Sequence, residues 1–423
     1  MNLFSPKFIY WIKTLSKFVS VQLVVQALGV ASGIFLVRTL DQTQYAYYTI
    51  ALTMQTTMGL LADMGISVGL SAIGGKVWKD KYRFGQLINT AMQLRYYLAC
   101  ISIAVVTPIL IWMLIKNGAS ILEAILITIV VLVGLNFQLA NTVLSVVPRL
   151  HSQIERVQYL ELISTISRLV LLGVAYLTFL NAAAVMVAYS MVLGLQRLLL
   201  ERWVTNSIDR KAPINVDDRK FILAKIRVLA PNGIFFCIQN QLTLWLISIF
   251  GSTQNIAEIG ALGRIAVIFT IITSIMDTIV LPSFARCQSR VILRQRYFQI
   301  LGCILVFEAA ILGISVLWSH QLLWILGSQY YHLENEVGLM VLSATITSIT
   351  QVMASLNSTK AWVQYSWIEI PLRIFLQIIL LLILDISTVK GVLLFSIFSL
   401  FSPLMISILR TYLGFKNYNE TYV

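Results

Sequence analysis

Two stretches half a chain apart decide the fold: Leu40–Leu52, LDQTQYAYYTIAL, and Phe250–Leu262, FGSTQNIAEIGAL. Each closes one apolar run and opens the next. Both carry a Thr-Gln pair with an alanine shortly after it, and the offset is about 210 residues. A second echo lies at a similar offset. Val157-Gln158-Tyr159 is followed by Glu161 and Arg168, and Val363-Gln364-Tyr365 by Glu369 and Arg373. Each match is short, but the shared spacing is what a duplication of half the chain requires.

Working outward from these stretches, a helix needs ~20 mostly apolar residues to cross hydrocarbon. Twelve runs qualify, near 18–37, 45–74, 87–115, 121–146, 158–180, 183–203, 227–250, 258–281, 297–319, 336–356, 367–385 and 390–410. Six fall in each half, and an even number per half gives parallel repeats. The expected fold is an all-α membrane protein with about 12 transmembrane helices in two six-helix bundles, 1–203 and 227–423. The polar segment 204–226, with Pro213, Asp217 and Asp218, is the expected linker.

Composition agrees. Of 423 residues, 58% are apolar and 12% charged, and mean hydropathy is +0.83. A soluble domain is nearer 45–50% apolar and about 25% charged, so that class is excluded. The net charge of +13 would suggest nucleic acid in a soluble protein. Its distribution points elsewhere. With the N-terminus in the cytoplasm, 24 Lys and Arg fall in inner segments and three, Arg38, Lys116 and Lys390, in outer loops. That asymmetry orients a membrane protein with both termini inside, and no nucleic-acid partner is expected. Lys7, Lys13 and Lys17 precede a first run without a small-residue cleavage site, which reads as a retained helix.

Ionisable groups inside spans are functional candidates, since a charge in hydrocarbon costs at least ~2.5–3.5 kcal/mol. The basic ones are Arg95, Arg168, Arg264 and Arg373; the acidic ones are Asp63, Glu161, Asp277, Glu308 and Glu369. Arg95 directly precedes the apolar run Tyr96–Ile115 and also reads as a snorkelling anchor at the inner boundary. Asp277 also reads as the partner of a loop arginine. Glu161 and Arg168, seven apart, share a helix face, and Glu369 and Arg373 form an i,i+4 pair. Within two turns of Arg264 the only acid is Glu258, and Glu308 has none. Gln239-Asn240-Gln241 adds uncharged donors in span seven, for substrate or for interhelical hydrogen bonds. Arginines in a dry cavity suit an anionic diphosphate headgroup. A titratable carboxylate suits proton-coupled export of cations.

Other chemistries lack their residues. The four cysteines (Cys100, Cys237, Cys287, Cys303) are scattered, and His151, His320 and His332 lie too far apart for metal spacing. The only Gly-Lys, Gly75-Lys76, is no Walker A motif. No cofactor or metal is expected. A membrane enzyme of glycan modification would have to use His320, His332 or Glu334 on a short outer loop.

The stretches 35–53 (FLVRTLDQTQYAYYTIALT), 60–75 (LLADMGISVGLSAIGG), 250–269 (FGSTQNIAEIGALGRIAVIF) and 279–286 (IVLPSFAR) resemble the Wzx-type polysaccharide flippases. These belong to the multidrug/oligosaccharidyl-lipid/polysaccharide exporter (MOP) superfamily. Arg38, Arg264 and Pro282 match family positions, while Ala46 stands where a glycine is usual. The drug-exporter branch usually has an acid in span one, and Val19–Val37 has no ionisable group. The resemblance implies two bundles forming a V around a central cavity in a bacterial inner membrane. It implies alternating access that carries undecaprenyl-diphosphate-linked repeat units of O-antigen lipopolysaccharide or capsule to the periplasmic leaflet. A polysaccharide polymerase and chain-length machinery would be further partners. Arg264, Arg168, Arg373, Arg95, Arg38 and Asn240 are the substrate-binding candidates; Glu308, Asp63 and Asp277 are the ion-coupling candidates. The alternative is an ion-coupled multidrug or cation antiporter of the same superfamily.

Overall fold

A computed structural model describes residues 6–151, 153–276, 280–285, 287, 289–360, 362 and 366–416, with backbone alone at 6–20, 154, 271, 282 and 366. The first half contains α1 (Pro6–Thr39), α2 (Gln42–Leu61), α3 (Ile66–Val77), α4 (Lys81–Lys116), α5 (Ile121–Leu144), α6 (Val146–Leu150), α7 (Ile154–Thr178) and α8 (Ala182–Val204). The second contains α9 (Val216–Phe250), α10 (Thr253–Ala266), α11 (Ile268–Ile275), α12 (Leu281–Ala285), α13 (Arg290–Leu317), α14 (Ser319–Leu326), α15 (Glu334–Thr359), α16 (Ser366–Ile383), α17 (Val389–Ser399) and α18 (Phe401–Lys416). No strand occurs among the described residues.

Among the described residues ten helices are long and apolar enough to cross a membrane. The number is eleven when α2 and α3, bent by 51°, are taken as one span. The run expected at 367–385 is α16, 18 residues long. The outward faces are apolar. On α4, Tyr97, Ile101, Val105, Ile109 and Trp112 form an exposed stripe at helical spacing. Such a face is costly in water and suited to lipid. The chain is thus a multi-pass membrane protein.

The repeated stretches act as helix starts. The Asp41 carboxylate accepts from Gln44 N at 2.8 Å, and the Ser252 hydroxyl accepts from Asn255 N at 3.2 Å. The two caps are 211 residues apart. The residue three beyond each cap then ties down the start of its half's last span. Gln44 Oε1 accepts from Ala182 N at 2.8 Å at the start of α8, while Asn255 Nδ2 donates to Ser387 O at 2.7 Å ahead of α17. Gln44 Nε2 also donates to Glu123 Oε1 at 2.8 Å. Each half thus staples its last span from the residue three beyond a cap, with Gln accepting in one half and Asn donating in the other.

Contacts divide the chain into two units, Met1–Leu244 and Trp245–Val423. The boundary falls inside α9 and not in the expected linker 204–226. Half of that linker is helix, because Asn215 Oδ1 caps α9 by accepting from Asp217 N (2.9 Å) and Asp218 N (3.1 Å). The rest is docked on α4. Asn89 Nδ2 donates to Ala212 O at 2.8 Å, and Asp209 N donates to Lys81 O at 3.0 Å. Arg83 grips the buried Asp218 with both terminal nitrogens, one at 2.6 Å. Farther along, Leu229 and Ile222 of α9 pack onto Gly65 and Gly69, and Cys237 Sγ reaches Thr57 O at 3.8 Å.

Gly85 is where the linker comes closest: a Cβ there would stand 2.1 Å from the Asp209 carbonyl oxygen. Gly85→Ala is expected to lift the linker and lower stability by about 1–3 kcal/mol. Gly75→Ala is the control, since nothing lies within 4 Å of that position. It should stabilise by about 0.5–1 kcal/mol through helix propensity. Thermal unfolding in detergent reads both, and an equal response would refute the docking argument.

Candidate functional site

Unit 1 is built around the break in span two. Met64 (φ 33°) and Gly65 (φ 97°) both occupy left-handed backbone, a conformation that side chains resist. A Cβ at Gly65 would also stand 2.8 Å from Leu229 Cδ1, so a side chain there would push Leu229 aside as well as strain the backbone. Asp63 restarts the helix. Its Oδ1 accepts from Ser67 N at 3.2 Å and Ser67 Oγ at 2.6 Å. The same oxygen faces Arg95 Nη1 of α4 at 3.3 Å. Arg95 is 4% exposed, and its Nε and Nη1 make no hydrogen bond. It is therefore a buried counter-charge to the bend, not a snorkelling anchor. The reason is that α4 starts at Lys81, capped by Asp80, well before the expected start at 87.

Beside this break lies a cavity of about 390 Å³ lined by Ser67, Gln138, Asn141, Gln196, Arg149, Glu161 and Trp203. Its amides are held in place. Asn141 Nδ2 donates to Leu193 O (2.9 Å) and lies 3.3 Å from Gln196 Oε1. Gln196 Nε2 donates to Ser164 Oγ at 2.8 Å. The buried Asn141 Oδ1 accepts nothing. Fixed amides and hydroxyls, one carboxylate, one guanidinium and an indole share this cavity with an apolar lining that includes Val146, Leu160, Leu193 and Leu200, a mixed surface suited to a ligand with both hydroxyl and apolar faces. Amides three apart in an apolar span (Gln138, Asn141) were the sequence signal, and the hydropathy reading passed over them.

Arg168 does not turn to Glu161 along its own helix. Its guanidinium lies 5.2 Å from the centre of the Tyr189 ring on α8, and its Nε has no hydrogen bond. Arg38 ends α1 on an exposed face, and Asn240 is exposed on α9.

In unit 2, Glu308 of α13 is 0% exposed, and among the described residues neither carboxyl oxygen meets a partner at full hydrogen-bond geometry. Ser348 of α15 faces it, and the hydroxyls of Ser348 and Thr345, one turn apart, are likewise buried without a hydrogen-bond partner. The expected Glu369–Arg373 pair is not the dominant one. Glu369 Oε2 instead accepts from Arg410 Nη2 of α18 at 3.0 Å, leaving Arg373 Nε buried without a partner. Arg264 sits in the last turn of α10, half-buried, just before the chain passes through Val267 into α11. Glu258, the acid nearest to it in sequence, is committed elsewhere. It accepts from Gln254 Nε2 at 2.9 Å and pairs with His332 Nε2 at 2.7 Å. Asp277 lies outside the described residues. Of the nine predicted site residues, the structure brings Asp63 and Arg95 together.

No family model and no curated protein matches this sequence. Solved structures do. An inward-facing multidrug resistance MATE family transporter of the MOP superfamily superposes at TM-score 0.66 with 16% identity, covering 94% of this chain and 97% of that one. An outward-facing MATE transporter of the same superfamily gives 0.60 at 14% identity, covering 95% and 94%. The eukaryotic MATE transporter AtDTX14 gives 0.59 at 15% identity, covering 95% and 96%. At these identities the likeness is one of fold: the chain has the fold of MATE transporters across nearly its whole length.

Proposed function

We propose that the chain is a secondary transporter of the MOP superfamily, not an enzyme, moving cargo by alternating access with both termini on the cytoplasmic side. The observation that carries this reading is the MATE transporter fold over 94% of the chain. For the cargo, the comparisons favour an ion-coupled multidrug or cation antiporter, since the similar structures are of multidrug resistance transporters. The buried carboxyl of Glu308 supplies a group for ion coupling.

A different observation favours a second cargo, the undecaprenyl-diphosphate-linked oligosaccharide of a bacterial surface glycan. The unit 1 cavity offers amides, hydroxyls and an indole edge, the chemistry that recognises sugars. Arg168, with an unpartnered Nε, supplies a cation for a diphosphate.

Two phenotypes separate the readings. Overexpression in an exporter-deficient host should raise resistance to cationic drugs if the first cargo is right. Deletion from the parent cell should remove surface glycan, with lipid-linked repeat units left on the cytoplasmic face, if the second is right. Neither effect, with the protein present in the membrane, would dismiss both cargoes.

A further inference from the structure

The end of unit 2 where α13 begins and α18 finishes holds a cavity of about 560 Å³ that neither cargo reading uses. Its rim is cationic, with Arg290, Arg294 and Lys416, and among the described residues no acidic side chain lines it. Its wall is apolar and aromatic, formed by Phe298, Leu301, Met353, Ile408, Tyr412 and Phe415.

The wall is braced by hydrogen bonds of its own polar residues. Tyr297 and Thr411 share a hydrogen bond of 2.7 Å, and Thr411 Oγ1 donates to Asn357 Oδ1 at 3.1 Å. Asn357 Nδ2 donates in turn to Ser407 O at 3.0 Å. These polar atoms are occupied within the protein. Phe298 and Phe415 stack with ring centres 6.1 Å apart, and Arg290 Nη2 donates to Phe415 O at 2.7 Å. The site is thus preformed, with one rim arginine anchored to it. Its mouth faces outward from the helices: Ile408 is 52% exposed and Tyr412 64%.

A cationic rim at helix ends above an outward-facing apolar slot matches an amphiphile with an anionic head. A free anion would use the rim and waste the slot; a neutral amphiphile would do the reverse. Basic pockets between transmembrane helices select anionic headgroups, and arginine grips phosphate with two donors. We propose that this cavity binds one anionic phospholipid. The phosphate sits against Arg290, Arg294 and Lys416, and an acyl chain lies along Phe298, Leu301 and Ile408.

The test is native mass spectrometry of the full-length protein with an equimolar mixture of phosphatidylglycerol and phosphatidylcholine of identical chains. Wild type should retain the anionic lipid preferentially. Arg294→Gln with Lys416→Gln, both exposed and neither a member of the braced network, should lower that preference about tenfold. Ile408→Asn should weaken retention through the slot. Arg219→Gln with Lys220→Gln, exposed on α9, should change nothing. Equal retention of both lipids by wild type, an unchanged preference in the double variant, or equal loss in the α9 control would overturn the proposal. So would complete displacement of the lipid by inorganic phosphate alone, which would assign the rim to a free anion.

Discussion

Asp63→Asn is expected to destabilise the protein by about 3 kcal/mol, the lower end of what breaking one side of a buried ion pair does. Arg95 would keep its full charge at 4% exposure and lose the carboxylate 3.3 Å away. The lower end applies because the Asp63 side chain is itself 29% exposed. Asp63→Ala should be worse by about 1 kcal/mol, since Ser67 N also loses its cap at the restart of the helix. Arg95→Met should be milder than either, because it removes the buried charge and leaves Asp63 accepting from Ser67 N and Oγ. The double variant Asp63→Asn with Arg95→Met should recover most of the loss. Thermal and denaturant unfolding in detergent measure all four. Additive losses in the double variant would show that the two residues act separately.

Glu308→Leu is expected to produce two effects of opposite sign. Unfolding should become harder by about 1–3 kcal/mol, because a buried polar group without a hydrogen bond gives way to an apolar one. Ion-driven transport should be lost, because the carboxyl in the middle of α13 is gone. Glu308→Gln separates size from charge. It keeps the shape and hydrogen-bonding capacity and removes the ionisable group, so transport should fail while the protein melts at or above wild type. Transport driven by an ion gradient in reconstituted vesicles is the readout. Full transport by both variants would remove Glu308 from the coupling step; melting far below wild type would make it a structural residue.

Much of the fold was legible because bilayer thickness sets the length of an apolar run. The runs at 121–146 and 183–203 correspond to α5 with α6 and to α8. The Thr-Gln echo marks repeated helix starts, capped by Asp41 and Ser252. Hydropathy did not show that the span-two run breaks at Met64-Gly65, because the sequence stays apolar on both sides of the break. Nor did it show the amide-bearing cavity. Gln138, Asn141 and Gln196 are scattered amides in sequence, and only the packing of α5 against α8 assembles them.

The same division holds for the charges. The sequence by itself determined which ionisable groups enter the spans and that the chain is a multi-pass helical protein, since these follow from composition and period. Tertiary structure alone decided which groups meet. Arg168 lies over Tyr189 and not beside Glu161, and Glu369 pairs with Arg410, 41 residues away. A neighbour on the same helix is available to any sequence reader. A guanidinium in a low-dielectric interior goes instead to whichever partner the packed helices bring nearest, and that distance is a property of the fold.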